Sequence, residues 1–151
     1  MRVHLATDHA GLEFKDELTK HLQHRGFEVV DHGAYEYDAE DDYPGFCIAA
    51  AQAVAAEPGS LGVVFGGSGN GEQIAANKVK GVRAALAWSI ATAQLAKEHN
   101  NANVVSIGGR LHSIEDCKAI IDAFIETPFS NDERHVRRIN KIAKYENEGS
   151  L

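Results

Sequence analysis

The stretch LGVVFGGSGNGEQIAANK, residues 61–78, carries the reading of the fold. Its first five residues are an apolar run of the kind a buried strand needs, and from Glu72 to about Lys78 the pattern is helical. Between them four glycines fall within six positions, Gly66, Gly67, Gly69 and Gly71, interleaved with Ser68 and Asn70. A strand that passes through a glycine turn into a helix is half of a βαβ unit, which implies parallel strands covered by helices. Successive glycines let peptide N–H groups turn inward as a nest, and the start of a helix adds roughly half a positive charge. The loop therefore reads as an anion cradle, since a tight turn alone needs fewer glycines. It is not a nucleotide fingerprint: glycines at 67, 69 and 71 break the G-x-G-x-x-G spacing, and no Lys-Ser/Thr follows the last glycine as in a P-loop. The odd feature is Glu72, a carboxylate set beside a cradle for anions.

The same alternation extends outward in both directions. Residues 2–6 read as a strand, and 12–24 as an amphipathic helix with Phe14, Leu18 and Leu22 on one face, stopping before Gly26. Strand 27–31 follows, then the polar loop YEYDAEDDYPG, an alanine-rich helix over 45–57 and the strand at 61–65. Beyond the glycine loop come strand 82–88, helix 89–99, strand 103–109 and helix 113–126. A last helix spans about 132–147, with Val136, Ile139 and Ala143 on its apolar side. Five strands separated by helices predict a doubly wound α/β fold, a five-stranded parallel sheet in a three-layer α/β/α sandwich, formed by one domain over 1–151.

Charge and composition narrow the function. A formal net charge of −7 disfavours nonspecific binding to nucleic acid or to an acidic membrane, so an anionic ligand needs a locally positive pocket. The chain opens directly into strand-like residues and has no run of about 18 uncharged apolar residues, which points to the cytoplasm. Cys47 and Cys117 belong to no CxxC or Cys/His pattern and read as buried thiols. The acidic run DAEDDY reads as solvated, and no metal site is expected.

In a doubly wound sheet ligands bind beyond the carboxyl ends of the strands. The segments there, TDHAG, GGSGNGE and GGR, should converge on one crevice and bring together Asp8, His9, the loop 66–71, Glu72 and Arg110. Asp8 reads either as a helix cap or as a site carboxylate. Arg134 and Arg138, four apart on the last helix, read with Arg110 as a phosphate clamp or else as a solvated basic face. His99 and Asn100 end a helix, where the imidazole either offsets the helix dipole or shuttles protons. His21 and His24 read as surface residues.

Together DHAG, DYP, GGSGNGEQIAANK, EHNNANV, GGR and RHVRR resemble, in order and over essentially the whole chain, the ribose-5-phosphate isomerase type B family. That family also includes isomerases of galactose 6-phosphate and allose 6-phosphate. The resemblance implies a Rossmann-like homodimer, sometimes a tetramer, that interconverts an aldose phosphate and its ketose with neither metal nor organic cofactor. It places Asp8, His9, Tyr43, the loop 66–71, Arg134 and Arg138 around the sugar phosphate, and expects His99, Asn100 and Arg110 from the partner subunit. Many members carry a cysteine base where this chain has Gly66, and a subset carries a glutamate at the position of Glu72, which this sequence resembles.

The enediolate route then assigns ring opening to His99 with Asp8, proton transfer between C2 and C1 to Glu72, and charge stabilisation to the loop amides and Ser68. The arginines, with His9, take the phosphate. Alternatives are an isomerase of a six-carbon sugar phosphate and a flavodoxin-like nucleotide-binding module that performs no chemistry.

Overall fold

A computed structural model describes all 151 residues. The strands are β1 (Arg2–Thr7), β2 (Glu28–Asp31), β3 (Leu61–Gly66), β4 (Ala84–Leu86) and β5 (Val104–Gly108). The helices are α1 (Leu12–His24), α2 (Tyr43–Ala56), α3 (Asn70–Ala76), α4 (Ile90–Asn100), α5 (Ile114–Glu126) and α6 (Glu133–Glu148), and a 3-10 turn at His9–Gly11 precedes α1. All neighbours in the sheet are parallel, in the order β2-β1-β3-β5-β4. Thus β3 lies between β1 and β5, and the segments that follow these three strands are adjacent in space.

Residues of the central strands alternate between two cores because successive side chains point to opposite faces. Val3, Leu5, Val63, Phe65, Val105 and Ile107 pack with Leu18 and Leu22 of α1 and Ile121 and Phe124 of α5. Ala6, Val64 and Val104 face the other way, onto Cys47, Ala50, Ala51 and Val54 of α2 and Ala76 of α3. Helices on both faces leave no side of the sheet to solvent, so every residue of β3 is buried. No helix is long and apolar enough to cross a membrane.

Several boundaries differ from the sequence reading, each for a local reason. Helix α2 starts at Tyr43 because Pro44 sits in its first turn, where a missing N–H costs nothing. The edge strand β4 covers only 84–86 because Ser89 already caps α4: its hydroxyl accepts from Thr92 N at 3.2 Å, while Thr92 Oγ1 accepts from the amides of Trp88 and Ser89. Helix α3 begins at Asn70, preceded by Gly69 in the left-handed region (φ 81°), so Glu72 stands inside the first turn. His21 is no free surface residue: its Nε2 lies 2.8 Å from Asp122 Oδ1 and ties α1 to α5. His24 is exposed as expected. On α6 only His135 is buried, whereas Ile142 and Tyr145 are exposed.

Candidate active site

The crevice forms where β1, β3 and β5 end. The turn after β5 packs backbone to backbone on the glycine loop: Gly109 N donates to Gly66 O at 2.7 Å and Arg110 N to Gly67 O at 3.0 Å. From the strand beneath, the Ser106 hydroxyl donates to Gly69 O at 2.7 Å. Ser68 Oγ accepts from Asn70 N and Asn70 Nδ2, both at 3.2 Å, which leaves its own proton free to donate into the crevice. Tyr43, at the start of α2, lies directly against Gly71, where a β-carbon would collide with the phenol ring. Asp8, Glu72 and Gly69 are buried, while Ser68, Asn70 and the Arg110 side chain are exposed.

Glu72 is 4% exposed. Burial pushes its carboxyl pKa up; a hydrogen bond from its own backbone opposes this, and the Asp8 charge reinforces it. Asp8 is the cap that the sequence allowed, its Oδ1 accepting from Ala10 N at 2.9 Å, and its side chain is buried at the crevice. His9 Nδ1 lies 2.6 Å from Asp41 Oδ1, and this hydrogen bond raises the imidazole pKa above its ordinary value against a smaller opposing effect of burial.

Arg110 lies beside the glycine loop of its own chain, where the convergence of the strand-end segments places it, because β5 is the sheet neighbour of β3 and their following turns touch. A β-carbon on Gly67 would sit 3.3 Å from Arg110 Nη1. The three arginines are not brought together within one chain. Helix α4 leaves the carboxyl end of β4 and returns to the start of β5, so His99 and Asn100 lie at the opposite edge of the sheet. Arg83, just before β4, fixes that end by donating to the carbonyls of Asn100 (2.9 Å) and Asn101 (2.8 Å).

The start of α6 joins the same edge: Ser130 N donates to Glu98 O at 3.1 Å, and the rings of His99 and His135 are 4.3 Å apart. Arg134 and Arg138 are exposed there. The sequence-predicted residues therefore form two groups, Asp8, His9, Tyr43, 66–72 and Arg110 at one end, and His99, Asn100, Arg134 and Arg138 at the other.

Asp41 was missed. Its side chain is 10% exposed, unlike its neighbours Glu40 and Asp42, but a run of carboxylates carries no period that would mark one of them as buried. Asp8, His9 and Asp41 offer donor atoms within 4.8 Å of one another. Within this group His9 Nδ1 is hydrogen-bonded to Asp41 Oδ1, and Asp8 Oδ1 accepts from Ala10 N. A cavity of about 490 Å³ at the amino ends of the strands, lined by Met1, Arg83, Lys97 and Phe129, is remote from the glycine loop. Its two cations are explained locally, because both offset the carboxyl end of α4.

Fold and site thus define a doubly wound α/β protein that can hold a small anion, next to a buried carboxylate, at the switch point of its sheet. Within that class the chain belongs to the Ribose/Galactose Isomerase family, whose profile matches residues 3–142. It is 60% identical over 146 residues to ribose-5-phosphate isomerase B of Mycobacterium tuberculosis (strain ATCC 25618 / H37Rv), covering 97% of this chain and 90% of that protein. It is 40% identical over 129 residues to galactose-6-phosphate isomerase subunit LacB of Clostridium acetobutylicum, covering 85% of this chain and 74% of that subunit. The crystal structure of ribose-5-phosphate isomerase B from Mycoplasma genitalium with bound ribulose-5-phosphate superposes with a TM-score of 0.94 at 42% identity, over 97% of each chain.

Proposed function

We propose that this chain interconverts ribose 5-phosphate and ribulose 5-phosphate through an enediolate, with Glu72 as the base. The observation that carries the reading is the buried Glu72 carboxylate beside the glycine loop, in a chain 60% identical to ribose-5-phosphate isomerase B. After ring opening, Glu72 takes the proton from C2 and the electron pair moves onto the aldehyde oxygen. Glu72 then returns the proton to C1 while the O2 hydroxyl proton passes to O1, leaving the ketone. Loop amides, Ser68 and Asn70 meet the negative oxygen, and Asp8 holds a hydroxyl. Burial serves this role by lifting the carboxyl toward the working pH.

Gly66 supports a glutamate-based mechanism over a thiolate one, because the space a cysteine side chain would need there is filled by Glu72. His9 and Arg110 bind the phosphate together with Arg134 and Arg138 of a second copy, whose His99 opens the sugar ring and whose Asn100 holds a sugar hydroxyl. A homodimer supplies these because one chain cannot place both groups at one end of its sheet. The outer edge of β4 is unpaired, with a groove of about 490 Å³ beside it lined by the exposed Ile142, which fits a second copy. The reading needs neither metal nor organic cofactor, and the enzyme would work in the cytoplasm.

A six-carbon sugar phosphate is the second reading, favoured by the 40% identity to a galactose-6-phosphate isomerase subunit. The deciding experiment follows conversion of ribose 5-phosphate to ribulose 5-phosphate, with allose 6-phosphate and galactose 6-phosphate in parallel and a chelator in one arm. Turnover of ribose 5-phosphate that withstands the chelator is expected. No turnover, or turnover of a six-carbon substrate alone, rejects the reading.

A further inference from the structure

We infer that Asp41 is a positioning residue that holds the His9 imidazole as an oriented cation for the phosphate end of the substrate, an inference that rests on the isomerase reading above. Asp41 lies in a run whose other carboxylates, Asp38, Glu40 and Asp42, are exposed, yet its own side chain is nine-tenths buried. One oxygen does two things: Asp41 Oδ1 accepts from His9 N at 3.1 Å and from His9 Nδ1 at 2.6 Å. Gripping backbone and ring of one residue through the same atom removes the freedom of the ring to turn. It also fixes which nitrogen carries the first proton, Nδ1, so the second proton goes to Nε2, the nitrogen left free to donate to an anion.

Four groups face His9. Asp41 and Asp8 favour the protonated ring, Arg110 opposes it, and Tyr37 meets it edge-on with centroids 5.9 Å apart. A free imidazole is mostly neutral at pH 7, and a second cation beside Arg110 would be less favoured still. The Asp41 hydrogen bond is the largest influence and raises the pKa, so His9 keeps its charge up to a higher pH. This explains why an acidic loop borders an anion site, since the carboxylate acts from behind the imidazole. Asp41 Oδ2 is buried without a partner. Packing alone gives no reason to place a charged group there, because an amide of the same shape would fill the space.

Asp41→Asn separates the two roles, because it keeps an oxygen that can accept both N–H groups and removes only the charge. KM and kcat for ribose 5-phosphate are measured from pH 6 to 9 in the wild type and D41N. A raised pKa means that the cation is present below it and lost as pH rises through it; removing the charge moves that loss to lower pH. KM of D41N should therefore match the wild type near pH 6 and exceed it by about tenfold near pH 8, with kcat little changed, as expected for lost uniform binding. Parallel KM profiles overturn the inference.

Titration of the His9 ring by NMR, with inorganic phosphate as the probe ligand, is independent of turnover. Inactive wild-type protein rejects the isomerase reading, whereas an unmoved His9 midpoint in D41N rejects the role of Asp41. Should D41N fail to fold, a wild-type His9 midpoint at or below that of a free imidazole overturns the inference, and one above it supports it.

Discussion

Glu72 Oε1 occupies the place where a β-carbon on residue 66 would have to be, so Gly66 and Glu72 share one small space. Only a residue without a side chain lets the carboxylate reach the floor of the loop. Gly66→Ala or Gly66→Cys should displace Glu72, with overpacking of about 1–3 kcal/mol in thermal unfolding and a fall in kcat of at least about 10²-fold. The measurement is kcat alongside the melting temperature. A Gly66→Ala enzyme with wild-type kcat would mean that the position of Glu72 does not matter to the chemistry.

A base that must be ionised, with a pKa raised by burial, sets the acid limb of the rate. The active form is lost as pH falls through that raised pKa, so the kcat profile of the wild type should turn down at a pH above the ordinary carboxylate range. Glu72→Gln keeps the shape of the side chain and removes the base. Its kcat should drop by about 10²–10⁴-fold with KM almost unchanged, read by steady-state kinetics and by isothermal titration with ribulose 5-phosphate. Near-normal turnover would remove Glu72 from the base role.

Thiol chemistry should be silent. Cys47 is fully buried, and burial, followed by the charges of Glu72 and Asp8, pushes its thiol up to about 12. Burial likewise lifts Cys117 up to about 11, with a smaller contribution from Asp116. At pH 8 a thiol at about 12 is ionised in roughly one molecule in ten thousand, and the thiolate is the reactive form. Incubation with iodoacetamide at pH 8 should leave activity intact for as long as the fold persists, as followed by circular dichroism. Rapid inactivation of a folded sample would show that a thiol takes part.

Local patterns made part of this site legible in the sequence. Strand β3, the glycine loop and α3 are contiguous, so period and glycine spacing together placed Glu72 next to the cradle. The order of strands is not written in any one segment, and it is this order that seats Arg110 beside Gly67 of its own chain. Asp41 meets His9 across 32 positions, and no spacing rule joins them. Strand β4 is shorter than the pattern predicts because an apolar run continues past Leu86, while the cap at Ser89 ends the strand first. The rule that ligands bind beyond the carboxyl ends of the strands brought Asp8, the glycine loop and Arg110 to one crevice, whereas a loop contact such as Asp41 to His9 stayed hidden.

The division of the predicted residues between two ends of the sheet has a consequence for mixtures of variants. If His99 of one copy serves the Glu72 crevice of another, Glu72→Gln and His99→Asn each leave a homodimer with no intact site. Refolding the two together at equal amounts makes half of the dimers mixed, and each mixed dimer has one site with both lesions and one with neither. Activity should then return to about a quarter of the wild-type level by this count for a two-fold symmetric pair. A mixture as inactive as its components would place all catalytic groups within one chain. A His99→Asn homodimer with wild-type turnover would instead remove His99 from the chemistry, as expected if each site used one chain alone, because within one chain His99 lies at the opposite end of the sheet from Glu72.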